Sequence, residues 1–138
     1  MIALRDNSPA VVGPGIYPML YAFFDDRGVL RQDPFRLQVD VALGTQAAGV
    51  AILGLGTEVS KLTFDERIEV LEVVAKRIEG RKPLLATVYG DTITEQIEFS
   101  KRAIQSGASA LMLQPPSQKM DDAKLVGFFS EIISAVDC

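Results

Sequence analysis

The residues best placed to do chemistry stand together at Gly54-Leu55-Gly56-Thr57-Glu58. Before them runs Val50-Ala51-Ile52-Leu53, apolar and uncharged, as in a strand buried on both faces. Two glycines let the backbone approach a ligand closely or take positive φ. After them comes a strong helix start at Thr63-Phe64-Asp65-Glu66. In α/β proteins ligands sit where a strand ends and the chain turns toward a helix. Gly54, Leu55, Gly56 and Thr57 are therefore expected to form one wall of a small-molecule site. Tyr89, at the end of the next strand-like run, is expected on the same rim. Glu58 is either a general acid or base or, better suited to its position, a structural carboxylate accepting from backbone N–H groups. Tyr17 and Tyr21 share one face of an earlier strand by alternation, and core packing is the better reading of both.

Other chemistries are excluded by what is missing. The 138 residues contain no histidine and a single cysteine, Cys138. That removes the commonest general base and all but excludes zinc. The carboxylate pairs Asp25-Asp26 and Asp121-Asp122 read as a turn and a helix start rather than as a Mg²⁺ or Ca²⁺ site. With 14 basic and 18 acidic residues the net charge is −4, and no basic stripe suggests nucleic acid. Apolar runs are strand-length, too short to span a membrane. Residues 1–12 read as a loose leader without a secretory signal. A lone cysteine fits a reducing compartment, so a cytoplasmic location is expected.

Four strand–helix units position these residues. Gly15–Phe24 reads as a buried strand, with Pro18 a reason to place it at an edge or bulge. Asp25–Gly28 is a turn. A helix follows from an Asp33 N-cap with Pro34 at its first position to about Ala48, stopped by Gly49. Val50–Leu55 is the second strand, and Thr63-x-x-Glu66 a capping box opening a helix that Gly80 ends. Leu84–Tyr89 is the third strand. Thr92-x-x-Glu95 is a second capping box, whose helix turns Ile93, Ile97, Ala103 and Ile104 inward and ends at Gly107. Ala110–Gln114 is the fourth strand, and a last helix runs from about Asp121 to Ala135. The period, roughly 30–35 residues, is that of a βαβ unit.

Near-continuous apolar strands alternating with helices require a parallel sheet in a single α/β domain spanning residues 1–138. Two architectures fit: an open doubly wound sheet, or the four-unit half of a (β/α)8 TIM barrel, which needs about 250 residues in full. Ending where a fifth strand is due favours the half barrel.

The residues also resemble the dihydrodipicolinate synthase/N-acetylneuraminate lyase family. The resemblance is carried by Gly15-Ile-Tyr-Pro18, Phe24-Asp-Asp-Arg-Gly28, Gly49-Val-Ala-Ile-Leu-Gly54, Leu62-Thr-Phe-Asp-Glu-Arg67, Gly80-Arg-Lys-Pro-Leu84, Gly107-Ala-Ser-Ala-Leu-Met112 and Pro115-Pro116. It implies the N-terminal half of a class I aldolase barrel. Such an enzyme makes or breaks a carbon–carbon bond through a Schiff base between a lysine and a 2-oxo acid such as pyruvate, without metal or organic cofactor. The resemblance further implies that Gly54–Thr57 binds the oxo acid's carboxylate, and that the lysine and the proton-relay tyrosine lie beyond Cys138. No catalytic residue is then expected within this chain. Where the family reads Gly-Thr-Thr-Gly-Glu, both threonines are replaced, by Leu55 and Gly56; backbone N–H groups remain to hold a carboxylate in a nest. Ser117-Gln118 stand where a Tyr-Tyr pair often follows the prolines, which points to a divergent member.

A Schiff-base lysine must be desolvated to keep its amine unprotonated. Lys61, Lys76, Lys82, Lys101, Lys119 and Lys124 all lie outside the predicted strands. Lys82 is at the wrong end of a barrel, and Lys61 and Lys119 read as solvated loop charges. The expected partners are a small 2-oxo acid and either a C-terminal half or another copy of the chain. The alternative function is a non-catalytic half-barrel module that pairs with itself or with a second half. A flavodoxin-like regulatory domain would need an acidic cluster beyond Asp25-Asp26 at the end of its first strand.

Overall fold

The computed structural model describes residues 10–136; Cys138 and most of the expected leader lie outside them. Three parallel strands, β1 (Val50–Ile52), β2 (Leu84–Val88) and β3 (Ala110–Leu113), form a sheet in the order β1-β2-β3. Val50 pairs with Leu84 and Leu85 with Ala110. The expected first strand is an extended segment beside β1 with one bridge, Met19 to Ala51. Leu20 N–H donates to Ala51 O at 2.9 Å, and Ala51 N–H donates to Pro18 O at 3.0 Å. The next donor in that ladder would be residue 18, and proline has no N–H. Beyond it, Phe23 and Phe24 are exposed and turn into a short antiparallel bridge to Leu30. Asp25 Oδ1 accepts from the N–H groups of Arg27 and Val29 and so holds that turn.

Each strand lies beside the one before it in sequence. A doubly wound sheet reverses its order at a switch point; this one does not, and the arrangement is that of successive barrel units.

The helices are α1 (Gln32–Leu43), α2 (Phe64–Ile78), α3 (Ile93–Gln105) and α4 (Asp122–Ala135). α1 is shorter than expected. Arg31, not Asp33, takes its N-cap, and Gly44 ends it. The carbonyls of Ala42, Thr45 and Ala47 all accept from Lys82 Nζ, at 2.8, 2.9 and 2.7 Å. One half-buried cation thus ties the last turn of α1 to the loop that follows it. The Thr63–Glu66 capping box is complete. The second box is half made: Thr92 accepts from Glu95 N–H, but the Glu95 carboxylate turns to Arg67.

One cluster, including Phe35, Val39, Ile52, Leu71, Val74, Val88 and Phe99, fills the space between helices and sheet. α3 turns Gln96, Phe99, Ser100 and Ala103 into it. Ile93, Ile97 and Ile104, expected to face inward, pack instead on Phe128 and Ile132 of α4. Ile133 of α4 is exposed. Apolar surface stays open along the edge of the sheet beside the first segment and α1. Ile16, Leu37 and Val41 are 76%, 65% and 59% exposed, and they line a groove of about 670 Å³ with Pro18, Leu20 and Tyr21. At the opposite edge every residue of β3 is only half-buried.

Candidate functional site

β1 stops at Ile52 because Leu53 is left-handed, with φ 62°. A short 3-10 turn, Leu55–Thr57, follows and closes on Glu58 at φ 55°. Positive φ therefore falls on Leu53 and Glu58, while Gly54 has φ −92°. The glycines serve close approach instead. A Cβ built on Gly54 would stand 2.3 Å from Met19 Cε, and one on Gly56 3.2 Å from Met19 Cγ. The neighbour they admit is a side chain of the first segment.

Within the turn, the N–H groups of Thr57 and Glu58 bond back to Gly54 O and Leu55 O. Among the described residues the amides of Leu55 and Gly56 meet no acceptor. The Thr57 hydroxyl is spent: it donates to Leu20 O at 2.5 Å and accepts from Leu53 N–H at 3.1 Å, with Thr57 buried. It pins the turn to the first segment and has little left for a ligand. Leu55 points out, 87% exposed. Glu58 does not accept from backbone N–H groups as expected; it pairs with Lys61 at 2.6 Å in solvent.

Tyr21 is brought to the turn. Its ring stands 3.6 Å from where a Gly56 Cβ would be, and its backbone N–H and C=O are both bonded to the Gln38 amide. It is exposed rather than core. Tyr17 lies at the other end, its hydroxyl on Gly13 and its ring filling the space over Gly49. Tyr89, one residue past β2, is half-buried. Its carbonyl accepts from Arg67 Nη1, and its ring lies 5.7 Å from Arg67 Cζ. Arg67 also meets Glu95 Oε1 at 2.5 Å and the Phe64 ring at 5.6 Å. Next along, Asp91 Oδ1 accepts from Ser117 N–H at 2.7 Å, tying the loops after β2 and β3. That bond holds the Asp91 carboxyl below its ordinary range, with smaller help from the Ser117 side chain and Arg67.

Sequence reasoning missed Arg67, Met19 and Thr87. Thr87 is the one polar residue in the strand Leu84–Val88, and that contrast was its visible signal. Nothing local marks Met19 or Arg67. Asp121 caps α4, accepting from Lys124 N–H. Among the described residues no three His, Cys, Asp or Glu side chains gather as a metal site, and no helix is long and apolar enough to cross a membrane.

Known proteins share this arrangement. The 4-hydroxy-tetrahydrodipicolinate synthase of Pelobacter propionicus is 32% identical over 111 residues, 80% of this chain and 38% of the relative. The putative 2-dehydro-3-deoxy-D-gluconate aldolase YagE of Escherichia coli is 28% identical over 123 residues, 88% of this chain and 41% of its own. Its crystal structure in complex with pyruvate matches with a TM-score of 0.81. The dihydrodipicolinate synthase of Oceanobacillus iheyensis matches with a TM-score of 0.82 at 26% identity, over 89% of this chain and 41% of that one. These are TIM-barrel enzymes, and the chain spans about two fifths of their length. The profile of the dihydrodipicolinate synthetase family matches residues 13–138, and the chain belongs to that family.

Proposed function

We propose that this chain is the carboxylate-binding half of a carbon–carbon lyase that acts on a 2-oxo acid such as pyruvate through a Schiff base. The observation that carries the reading is the turn after β1, where the Leu55 and Gly56 amides face no protein acceptor. Adjacent free N–H groups form a nest for an anion. Tyr21 stands against that turn, while the Tyr89 ring packs on Arg67 and the helix-side core.

The lysine is supplied from outside residues 1–138. Lys61, Lys76, Lys101, Lys119 and Lys124 are exposed, so none is desolvated as a Schiff-base amine must be. Lys82 is committed to three carbonyls at the end of α1. The part that brings the lysine packs on the apolar groove beside α1 and on the β3 edge. The same groove supports the second reading, a non-catalytic half barrel paired with another copy or a second half, since exposed apolar surface beside open strand edges calls for a partner. Borohydride trapping with pyruvate, in the presence of a lysine-bearing C-terminal half, separates the two: the lyase leaves a reduced adduct on a lysine of that half and the paired module leaves none.

A further inference from the structure

The inner face of the sheet holds a buried hydroxyl with nothing to bond. The neighbours of Thr87 in β2, Ala86 and Val88, both join the helix-side core. Alternation turns Thr87 to the opposite face. Thr87 is 1% exposed, and its Oγ1 has no hydrogen-bond partner. A buried hydroxyl left unpaired is a standing cost to the fold.

Gly54 lies beside it. A Cβ built on Gly54 would stand 3.5 Å from Thr87 Oγ1 and 3.0 Å from Met19 Sδ. The Gly54 N–H donates to that sulfur at 3.2 Å. A thioether is a weak acceptor, so a strong donor has a poor partner. Two donors, one unmatched and one badly matched, converge beneath the end of an unbranched side chain with three rotatable bonds.

We propose that Met19 is a displaceable plug, and that the Gly54 amide and Thr87 hydroxyl beneath it are a two-donor site for the carboxylate of the 2-oxo acid. The proposal rests on the lyase reading above and names the groups that complete its anion site. A carboxylate fits because its oxygens only accept. The Thr57 hydroxyl cannot take this part, being committed to Leu20 and Leu53. Glycine at position 54 keeps the space into which the ligand oxygen would move.

The test is a pyruvate titration of the 138-residue chain, read by the ¹³C methyl signals of its methionines, with Met19 assigned through Met19→Leu. The Met19 methyl should shift with pyruvate. Thr87→Val should weaken binding about tenfold, the loss of one hydrogen bond to a charged group, while Thr87→Ser keeps it. Thr87→Val should melt no lower than the parent, because it removes only an unpaired hydroxyl, so its weaker binding is not unfolding. Pyruvate binding that leaves Met19 unmoved, or that Thr87→Val does not weaken, would overturn the plug while the lyase reading stands. A titration in which no signal of the chain responds to pyruvate would overturn both.

Discussion

The Arg67 guanidinium and the Glu95 carboxylate lie 2.5 Å apart where α2, α3 and the end of β2 meet, their side chains 7% and 29% exposed. Glu95 gives up the reciprocal half of its capping box to reach this cation. Arg67 in turn holds the carbonyl and ring of Tyr89. The pair therefore fixes the rim of the proposed site, and Gly90 makes room for it: a Cβ there would stand 2.8 Å from the Glu95 carboxyl carbon.

Removing one partner of that pair should be costly. Arg67→Ala is expected to destabilise the chain by about 3 kcal/mol, the low end for a buried pair because Glu95 keeps some solvent. Urea denaturation should show the loss in the midpoint. Glu95→Gln, which keeps a hydrogen-bond acceptor, should cost less.

Lys82 should behave as a structural cation. Lys82→Met removes the donor from three carbonyls and is expected to cost about 1–3 kcal/mol, read by thermal melting. The same variant should leave pyruvate binding in place, since Lys82 sits at the end of the sheet opposite the turn after β1.

The glycines should divide by their surroundings. A Cβ on Gly49 would stand 2.3 Å from the Tyr17 ring and 2.5 Å from Pro83 O, so Gly49→Ala should destabilise by about 1–3 kcal/mol. A Cβ on Gly127, inside α4, meets nothing within 4 Å, and Gly127→Ala should stabilise by about 0.5–1 kcal/mol. Chemical denaturation of the two variants checks both signs.

Acid should weaken the fold through two aspartates. Asp40 is held below its ordinary value of 3.8 by the hydrogen bonds from Arg77, at 2.7 and 2.6 Å, which tie α1 to α2. Asp91 is held below it by Ser117 N–H. A lowered folded pKa means stability that is present above the ordinary value and is lost as pH falls through the folded one. Urea midpoints should drop below about pH 4, and the drop should be smaller in Asp40→Asn and in Asp91→Asn.

The local signals were legible in the sequence. The Thr63 capping box, the Asp121 cap and the glycines after α2 and α3 depend on residues within a few positions of each other, and the structure has them. What failed depended on distant partners. The first strand thins to one bridge because Pro18 cannot donate to β1. Glu95 leaves its box for an arginine 28 positions away. The Thr57 hydroxyl looked available for a ligand, but its acceptor, Leu20 O, lies 37 positions back. The proposed anion site was half visible for the same reason: Gly54–Thr57 announces a turn, while Met19 and Thr87 meet it only across strands.

The central claim is that this chain binds the oxo acid and that the lysine comes from outside residues 1–138. The direct measurement is borohydride reduction with pyruvate of the chain alone and of the chain co-expressed with the C-terminal half of the Pelobacter propionicus relative, the adduct being mapped by peptide mass spectrometry. The account predicts no adduct on the chain alone and, in the complex, one on a lysine of the added half. An adduct on Lys61, Lys119 or any other lysine of residues 1–138 would contradict it, as would a formed complex that traps no pyruvate.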